Sequence, residues 1–343
     1  MRVQQLNDGA CKTYLVACEQ TSKALLIDPV KSNLERYLAL LAYKGLTLDA
    51  MLDTHTHADH STACFTLNDL VGTRLIMARK SPVPRVCEHV DDGDSIQVGK
   101  LTLDVLYTPG HTPDSISLYT GGYVFTGDCL LIGGTGRCDF AGGDPGEQYD
   151  SITQKLFTLP DDTVVLPGHD YRGNSESTIL AEKNGNPRVA GKTRQQYIDL
   201  MNSVEFPLPG KIQEVLQPNQ SAIDDDRTRF PDLAQLNEVR QLTADTVLAM
   251  LETDDKPLLV DVREEDEYTG ELGHIAGSIL YPLKELGVQA DTLDKDTNII
   301  CVCRAGVRST TAAAILTGLG FEDVSNLRDG MIEWHDRGYP VEH

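Results

Sequence analysis

The sequence predicts an α/β protein of two units, the larger one first. Three observations carry this. β-like runs alternate with helical ones over the first 200 or so residues. A stretch rich in Pro, Asn and Asp, SVEFPLPGKIQEVLQPNQSAIDDDRTRFPD, then shows no sustained period. Behind it a second, shorter strand–helix alternation runs to the end. A chain of 343 residues favours two domains over one. The expected division is a first domain over 1–204, a tail and linker over 205–238, and a second domain over 239–343.

In chain order, TYLVAC and ALLIDP read as neighbouring strands, and NLERYLALLAYKG as an amphipathic helix closed by Gly45. LDAMLDTH is a strand that runs into THTHADH. HSTACFTLNDLVG follows as a helix and RLIMA as a strand. SIQVGKLTLDVLYTPGH is a hairpin-like pair turning near Gly99, and SISLYTGGYVFTGD another turning at Gly121-Gly122. TVVLPGHDYRG is a strand ending in a histidine-bearing loop. In the second unit LTADTVLAMLE is a helix with Thr243 as N-cap, PLLVDVR a strand, NIICVCRAG a strand into a loop, and RSTTAAAILTGLG a helix closed by glycine.

The net charge of −22 argues against nucleic acid and anionic membrane surfaces as partners, because both require a basic face. No apolar run approaches bilayer length, and the N-terminus lacks an export pattern. A cytoplasmic protein is expected, with a homo-oligomer left open. Eight cysteines in a chain with an ordinary core are expected as buried residues or free thiols rather than a disulfide framework. Cys301 and Cys303, two apart on one run, are expected to point to opposite faces and to play different roles.

THTHADH places His55, His57, Asp59 and His60 at a strand end. His111, Asp128 and His169 follow other strands, each beside a glycine that lets backbones converge. Neutral imidazoles with carboxylates suit zinc or iron. Seven ligand-type residues at strand ends can line one cavity, and the residues alone leave open a zinc pair for hydrolysis or one iron for oxygen chemistry. The remaining histidines, His89, His274, His335 and His343, read as ordinary.

HxHxDH, TPGHT, FTGD and PGHD, in this order and spacing, resemble the metallo-β-lactamase fold. The resemblance covers about residues 1–200 and implies an αββα sandwich with metal between the sheet edges. GTGRCDFAGGD, GHDYRGN and EKNGNPRVAG narrow the resemblance to glutathione-dependent members: glyoxalase II and, more closely, the persulfide dioxygenases. The latter implies one Fe(II) per chain on His55, His111 and Asp128, with open positions for substrate sulfur and O2. His57, Asp59, His60 and His169 would then surround the site and hydrogen-bond its ligands. The same resemblance implies Arg137, Tyr171 and Arg188 as glutathione contacts, and forked guanidiniums match the two carboxylates of glutathione. This chain departs from the family's frequent GCGRTDF loop by exchanging the residue types at Thr135 and Cys138, which argues against a thiol role there.

CRAGVRS joins a strand to a helix. Cys303 would face backbone N–H groups and the positive helix end, with Arg304 and Arg308 adding charge, a setting that favours a thiolate nucleophile. LLVDVREEDEYTGELGHIAGSILYP and WHDRGYPV resemble the rhodanese signature over about 239–343, implying an α/β domain with a parallel sheet. Cys303 would carry a persulfide in a loop with Arg304, Ala305, Gly306, Val307 and Arg308. At six residues the loop is one shorter than in related phosphatases, which favours sulfur over phosphate. Asp261 and Arg263 are expected to be structural.

The two resemblances imply a fusion enzyme. One half oxidises glutathione persulfide with O2 to sulfite and glutathione. The other moves sulfur between thiosulfate and glutathione. The alternatives are a glyoxalase II-like two-metal thioesterase and a non-catalytic sulfur carrier or sensor.

Overall fold

A computed structural model describes residues 1–343 except 8, 141, 205–218, 220–230, 232, 254–255 and 284–285. Most of the expected tail and linker thus lies outside the described residues. The chain divides into two compact units, Met1–Asn33 with Thr47–Arg227, and Leu34–Leu46 with Thr228–His343.

The first unit is built on two six-stranded sheets. One holds, in spatial order, β1 (Arg2–Gln5), β2 (Tyr14–Cys18), β3 (Lys23–Ile27), β4 (Thr47–Leu52), β5 (Arg74–Ala78) and β6 (Glu88–Val90). The other holds β7 (Ser95–Val98), β8 (Leu101–Tyr107), β9 (Ile116–Thr120), β10 (Tyr123–Gly127), β11 (Val164–Pro167) and β12 (Ser177–Thr178), again as neighbours in sequence order. Alternate side chains interleave between the sheets: Val16, Leu25 and Leu52 from the first meet Ile96, Leu103, Leu118 and Phe125 from the second. Both predicted hairpins form, β7 with β8 and β9 with β10. Gly99 and Gly121-Gly122 take the positive φ that their turns require. The far face of the second sheet is covered by helices Pro145–Gln154 and Arg194–Ser203, through Ile152, Tyr197 and Met201.

Several elements escape the sequence reading. β1, β6 and β12 are short, largely polar sheet edges. Helix Pro145–Gln154 buries Gly146, Gln148, Ser151 and Ile152, so its inner face carries no apolar stripe. Its start is signalled locally instead, by the Asp144 cap and Pro145 in the first turn.

The second unit is a five-stranded sheet in the order β13 (Arg240–Leu242), β17 (Val324–Leu327), β16 (Ile299–Val302), β14 (Leu258–Asp261) and β15 (Ile279–Leu280), every pair parallel. It is buried on both faces, as parallel sheets are. Thr243 caps helix Ala244–Leu251 by accepting from the Thr246 amide. One expectation fails: Cys301 and Cys303 lie on the same side, in one apolar cluster with Ile299, while Ile300 and Val302 face the other. The side-chain period of a strand is two, so residues two apart share a face.

Asp261 and Arg263 are structural, as expected. Both are fully buried, and Arg263 donates two-pronged to the Asp261 carboxylate, at 2.7 Å for Nη2, and to the Gly273 carbonyl. Arg263→Met leaves that carboxylate buried and unpaired. A loss of about 3–5 kcal/mol is expected, read by urea unfolding with the fluorescence of Trp334, the chain's one tryptophan, buried in this unit. No helix of the described residues is long and apolar enough to cross a membrane.

Candidate metal centre and sulfur-transfer loop

β4 ends at Leu52 and delivers the histidine loop to the sheet edge. The loop is pinned from beneath by two carboxylates. Asp28 accepts from the Thr54 amide and hydroxyl at 2.7 and 2.9 Å, and Asp114 from those of Thr56 at 3.0 and 2.6 Å. A loop held by four side-chain bonds presents its imidazoles in fixed orientations.

The seven ligand-type residues do not form one set. His55, His111 and Asp128 offer donor atoms within 4.8 Å of one another. His111 Nδ1 donates to the Arg137 carbonyl at 2.6 Å, and its Nε2 faces Asp128 Oδ2 at 3.7 Å. Burial first, then the neighbouring His57 and His111, hold His55 well below the ordinary histidine range, so its imidazole is neutral. Burial opposes ionisation of Asp128, but His169, His111 and His55 outweigh it and keep the carboxylate charged. Two imidazoles and one carboxylate are the donor chemistry of a divalent metal site.

Asp59, His60 and His169 form a second group, completed by Cys11. His57 turns away into a third, fully buried group with Asp28 and Asp53, its Nε2 3.2 Å from Asp28 Oδ1. His169 links the first two groups, with Nδ1 2.7 Å from Asp128 Oδ1 and Nε2 2.8 Å from Asp59 Oδ2.

Glycine makes this convergence possible. A Cβ at Gly168 would lie 2.8 Å from Asp128 Oδ1, and one at Gly136 would lie 2.1 Å from the Asp128 carbonyl. Gln148 braces the same strand end from below, its Nε2 donating to the carbonyls of Asp128 and Cys129. Asn219 clasps the histidine loop, donating to the carbonyls of His57 and His60 at 2.9 Å each. Cys11, Gln148 and Asn219 were not anticipated from sequence. Each is a single residue outside any motif, and only the third dimension places it.

A cavity of about 510 Å³ opens from His111, Asp128 and His169 towards four residues, Arg137, Tyr171, Arg172 and Arg188. The three expected contact residues thus share one cavity, and Arg172 is an addition. Tyr171 is 74 % exposed, with its ring stacked parallel to that of His169. Arg188 donates to the Thr135 carbonyl at 2.7 Å, and Arg137 forks onto Asp139 at 2.6 Å. Cys138 hydrogen-bonds Gln148, and burial pushes its thiol up to about 12, which makes it an inert thiol.

In the second unit, Cys303 follows β16 directly and is 1 % exposed. The Ser309 hydroxyl donates to its sulfur at 3.1 Å. The loop turns at Gly306, whose φ of 81° belongs to glycine and where a Cβ would lie 2.9 Å from the Asp329 nitrogen. Val307 opens helix Val307–Gly318. Arg304 and Ala305 are exposed. Arg308 is committed elsewhere, both Nη atoms lying 2.6 Å from the Glu267 carboxylate. Its charge is therefore offset beside the loop rather than left to the sulfur alone. All eight cysteines are free, six of them buried.

Comparison with known proteins finds two family matches. Residues 6–169 match the metallo-beta-lactamase superfamily and residues 243–337 the rhodanese-like domain. The human mitochondrial persulfide dioxygenase ETHE1 is 36 % identical over 210 residues, covering 60 % of this chain and 82 % of that protein. The crystal structure of ETHE1 from Myxococcus xanthus superposes with a TM-score of 0.63 at 43 % identity, covering 65 % of this chain and 99 % of that one. A metallo-beta-lactamase structure from Staphylococcus aureus, 24 % identical, covers 96 % of this chain and 98 % of its own with a TM-score of 0.62, a likeness of fold. The chain belongs to the persulfide dioxygenase family of the metallo-β-lactamase superfamily, and joins that fold to a C-terminal rhodanese domain.

Proposed function

We propose that the chain is a bifunctional sulfur enzyme. The first unit oxidises glutathione persulfide: persulfide, O2 and water become glutathione, sulfite and two protons. The observation that supports this most is the donor triad of His55, His111 and Asp128 at the end of an arginine-bordered cavity. One Fe(II) on the triad would supply the oxygen-activating chemistry. The protein's residues do the rest. Arg137, Arg172 and Arg188 receive the glutathione carboxylates, Tyr171 lies along the tripeptide, and the persulfide end reaches the triad. His169, held protonated between the carboxylates of Asp128 and Asp59, keeps a proton beside it.

The second unit transfers sulfane sulfur. Cys303 attacks the outer sulfur of thiosulfate, the S–S bond breaks, and sulfite leaves with the electron pair. Glutathione then takes the sulfur from the Cys303 persulfide as glutathione persulfide, the substrate of the first unit. Arg304, exposed on the loop, would meet the dianion.

Oxygen uptake by the iron-loaded chain with glutathione persulfide tests the first reading. Uptake matched by sulfite release is the expected result. Thioester hydrolysis dependent on two zincs, without uptake, would replace it with the hydrolase. Absence of both activities, with sulfur transfer intact, would leave Cys303 as the only working group.

Arg188→Ala tests the cavity's role. Removing one charged hydrogen bond to a carboxylate costs about 1.5–3 kcal/mol. The KM for glutathione persulfide should therefore rise roughly tenfold to a hundredfold, with kcat changed far less. Steady-state oxygen-electrode kinetics read both constants.

A further inference from the structure

Arg308 closes the Cys303 loop, where a forked guanidinium would draw an oxyanion towards the sulfur. Its fork is already occupied. Nη1 lies 2.6 Å from Glu267 Oε2 and Nη2 2.6 Å from Glu267 Oε1, with both side chains less than a third exposed. This is the paired geometry that Arg would otherwise offer a bound anion. The pair also lies within electrostatic reach of the reacting thiol. Hydrogen bonding to Glu267 raises the Arg308 pKa against the effect of burial, and the nearby Cys303 sulfur adds to the rise.

Glu267 is held where it is. It lies on the short helix Glu265–Tyr268, its carboxylate accepts from the Glu264 amide at 3.3 Å, and its carbonyl accepts from the buried Arg263 at 3.0 Å. The loop is fixed through its carbonyls: those of Cys303 and Arg304 accept from the amides of Met331 and Ile332 at 2.9 and 3.0 Å. Among the described residues, no backbone group accepts from the amides of Ala305, Gly306, Val307 or Arg308. The loop therefore has N–H groups for an anion and two cations, Arg304 and Arg308, of which Glu267 cancels one.

We propose that Glu267 is a specificity-determining residue of the sulfur-transfer loop, which weakens the seat beside Cys303 for small oxyanions by cancelling the charge of Arg308. Thiosulfate and sulfite share their charged oxygens with sulfate and phosphate. A seat with two uncompensated cations would hold all four, and would retain sulfite after the S–S bond breaks. With one cation cancelled, the donor is selected by the reaction of its outer sulfur with Cys303, and the sulfite can leave. This deepens the sulfur-transfer reading and rests on it, but the local potential at Cys303 can be measured without it.

Glu267→Gln and Glu267→Asp test the assignment, with circular dichroism as the check on folding. The Gln variant leaves Arg308 uncompensated, so the KM for thiosulfate and the inhibition constant for phosphate should each fall about threefold to tenfold. The gain should shrink in about 0.5 M potassium chloride, where exposed charges are screened. The Asp variant keeps the charge and should retain the wild-type inhibition constant within about twofold. Alkylation gives a readout independent of sulfur transfer, because iodoacetate and iodoacetamide differ by one negative charge. Their rate ratio is read at Cys303 by peptide mass spectrometry, since Cys11 and Cys87 are not buried. The ratio should rise about threefold to tenfold in the Gln variant and not in the Asp variant. Should Glu267→Gln fold poorly, Glu267→Ala replaces it as the neutral variant, with the same expectations. A ratio and KM unchanged in the neutral variant, or a KM raised alike in the neutral and Asp variants, would overturn the role. A wild type without thiosulfate transfer whose neutral variant still shifts the ratio would remove the sulfur-transfer reading and keep the effect of Glu267 on the loop.

Discussion

His111→Ala is expected to empty the triad of iron and to end oxygen uptake. The variant loses one of three donors, and the two that remain, His55 and Asp128, cannot complete a facial set. Loss of a residue that merely orients a ligand typically costs 10–100-fold in metal affinity or activity. Loss of the ligand itself should cost more, at least about a hundredfold in iron affinity. Iron content after desalting and oxygen uptake with glutathione persulfide should fall together. The fold should survive, because His111 sits in a loop after β8 and contributes no side chain to the core between the sheets. Full iron content in the variant would remove His111 from the ligand set. Iron lost with uptake retained would remove iron from the reaction.

Cys303→Ser is expected to abolish sulfur transfer from thiosulfate while leaving oxygen uptake with supplied persulfide intact. A serine oxygen cannot hold sulfane sulfur, so no carrier remains. Removing a covalent nucleophile ordinarily costs at least about a thousandfold. The substitution is nearly isosteric in a site that already contains the Ser309 hydroxyl, so the sheet around it should stay packed. Sulfite release from thiosulfate reads the loss, and mass spectrometry of the wild type should show the mass of one added sulfur atom at Cys303. If oxygen uptake with supplied persulfide fell as well, the two reactions would not be independent.

What the sequence discloses and what it conceals follow from how each feature is written in the chain. His55, His111 and Asp128 are legible because each ends a strand beside a conspicuous local signature. Cys303 is legible because six consecutive residues form its loop. The strands between β7 and β10 are legible because one side faces solvent or helices and the other the opposite sheet, so side chains alternate. Helix Pro145–Gln154 is not, because it turns Gln148 and Ser151 inward to hydrogen-bond rather than to pack. Cys11 looks like any small apolar residue until β2 and the Gly168–Asp170 loop bring it to Asp59, through an isolated bridge with His169. The fate of Arg308 depends on Glu267, which is forty-one residues away. The pairing of Cys301 with Cys303 on one face was readable from the strand period alone.

The metal donors are drawn from both sheets. His55 follows β4 of the first, while His111 and Asp128 follow β8 and β10 of the second. A chain still being made, or one whose sheets have formed but not docked, therefore has no complete site to offer. A metal can enter only after the sandwich has closed, and once bound it acts as a latch across the seam. At free metal a hundredfold above the dissociation constant, such a latch favours the closed form by about 2.7 kcal/mol. Metal starvation should then be felt as a shorter lifetime of the protein, and not only as a slower enzyme.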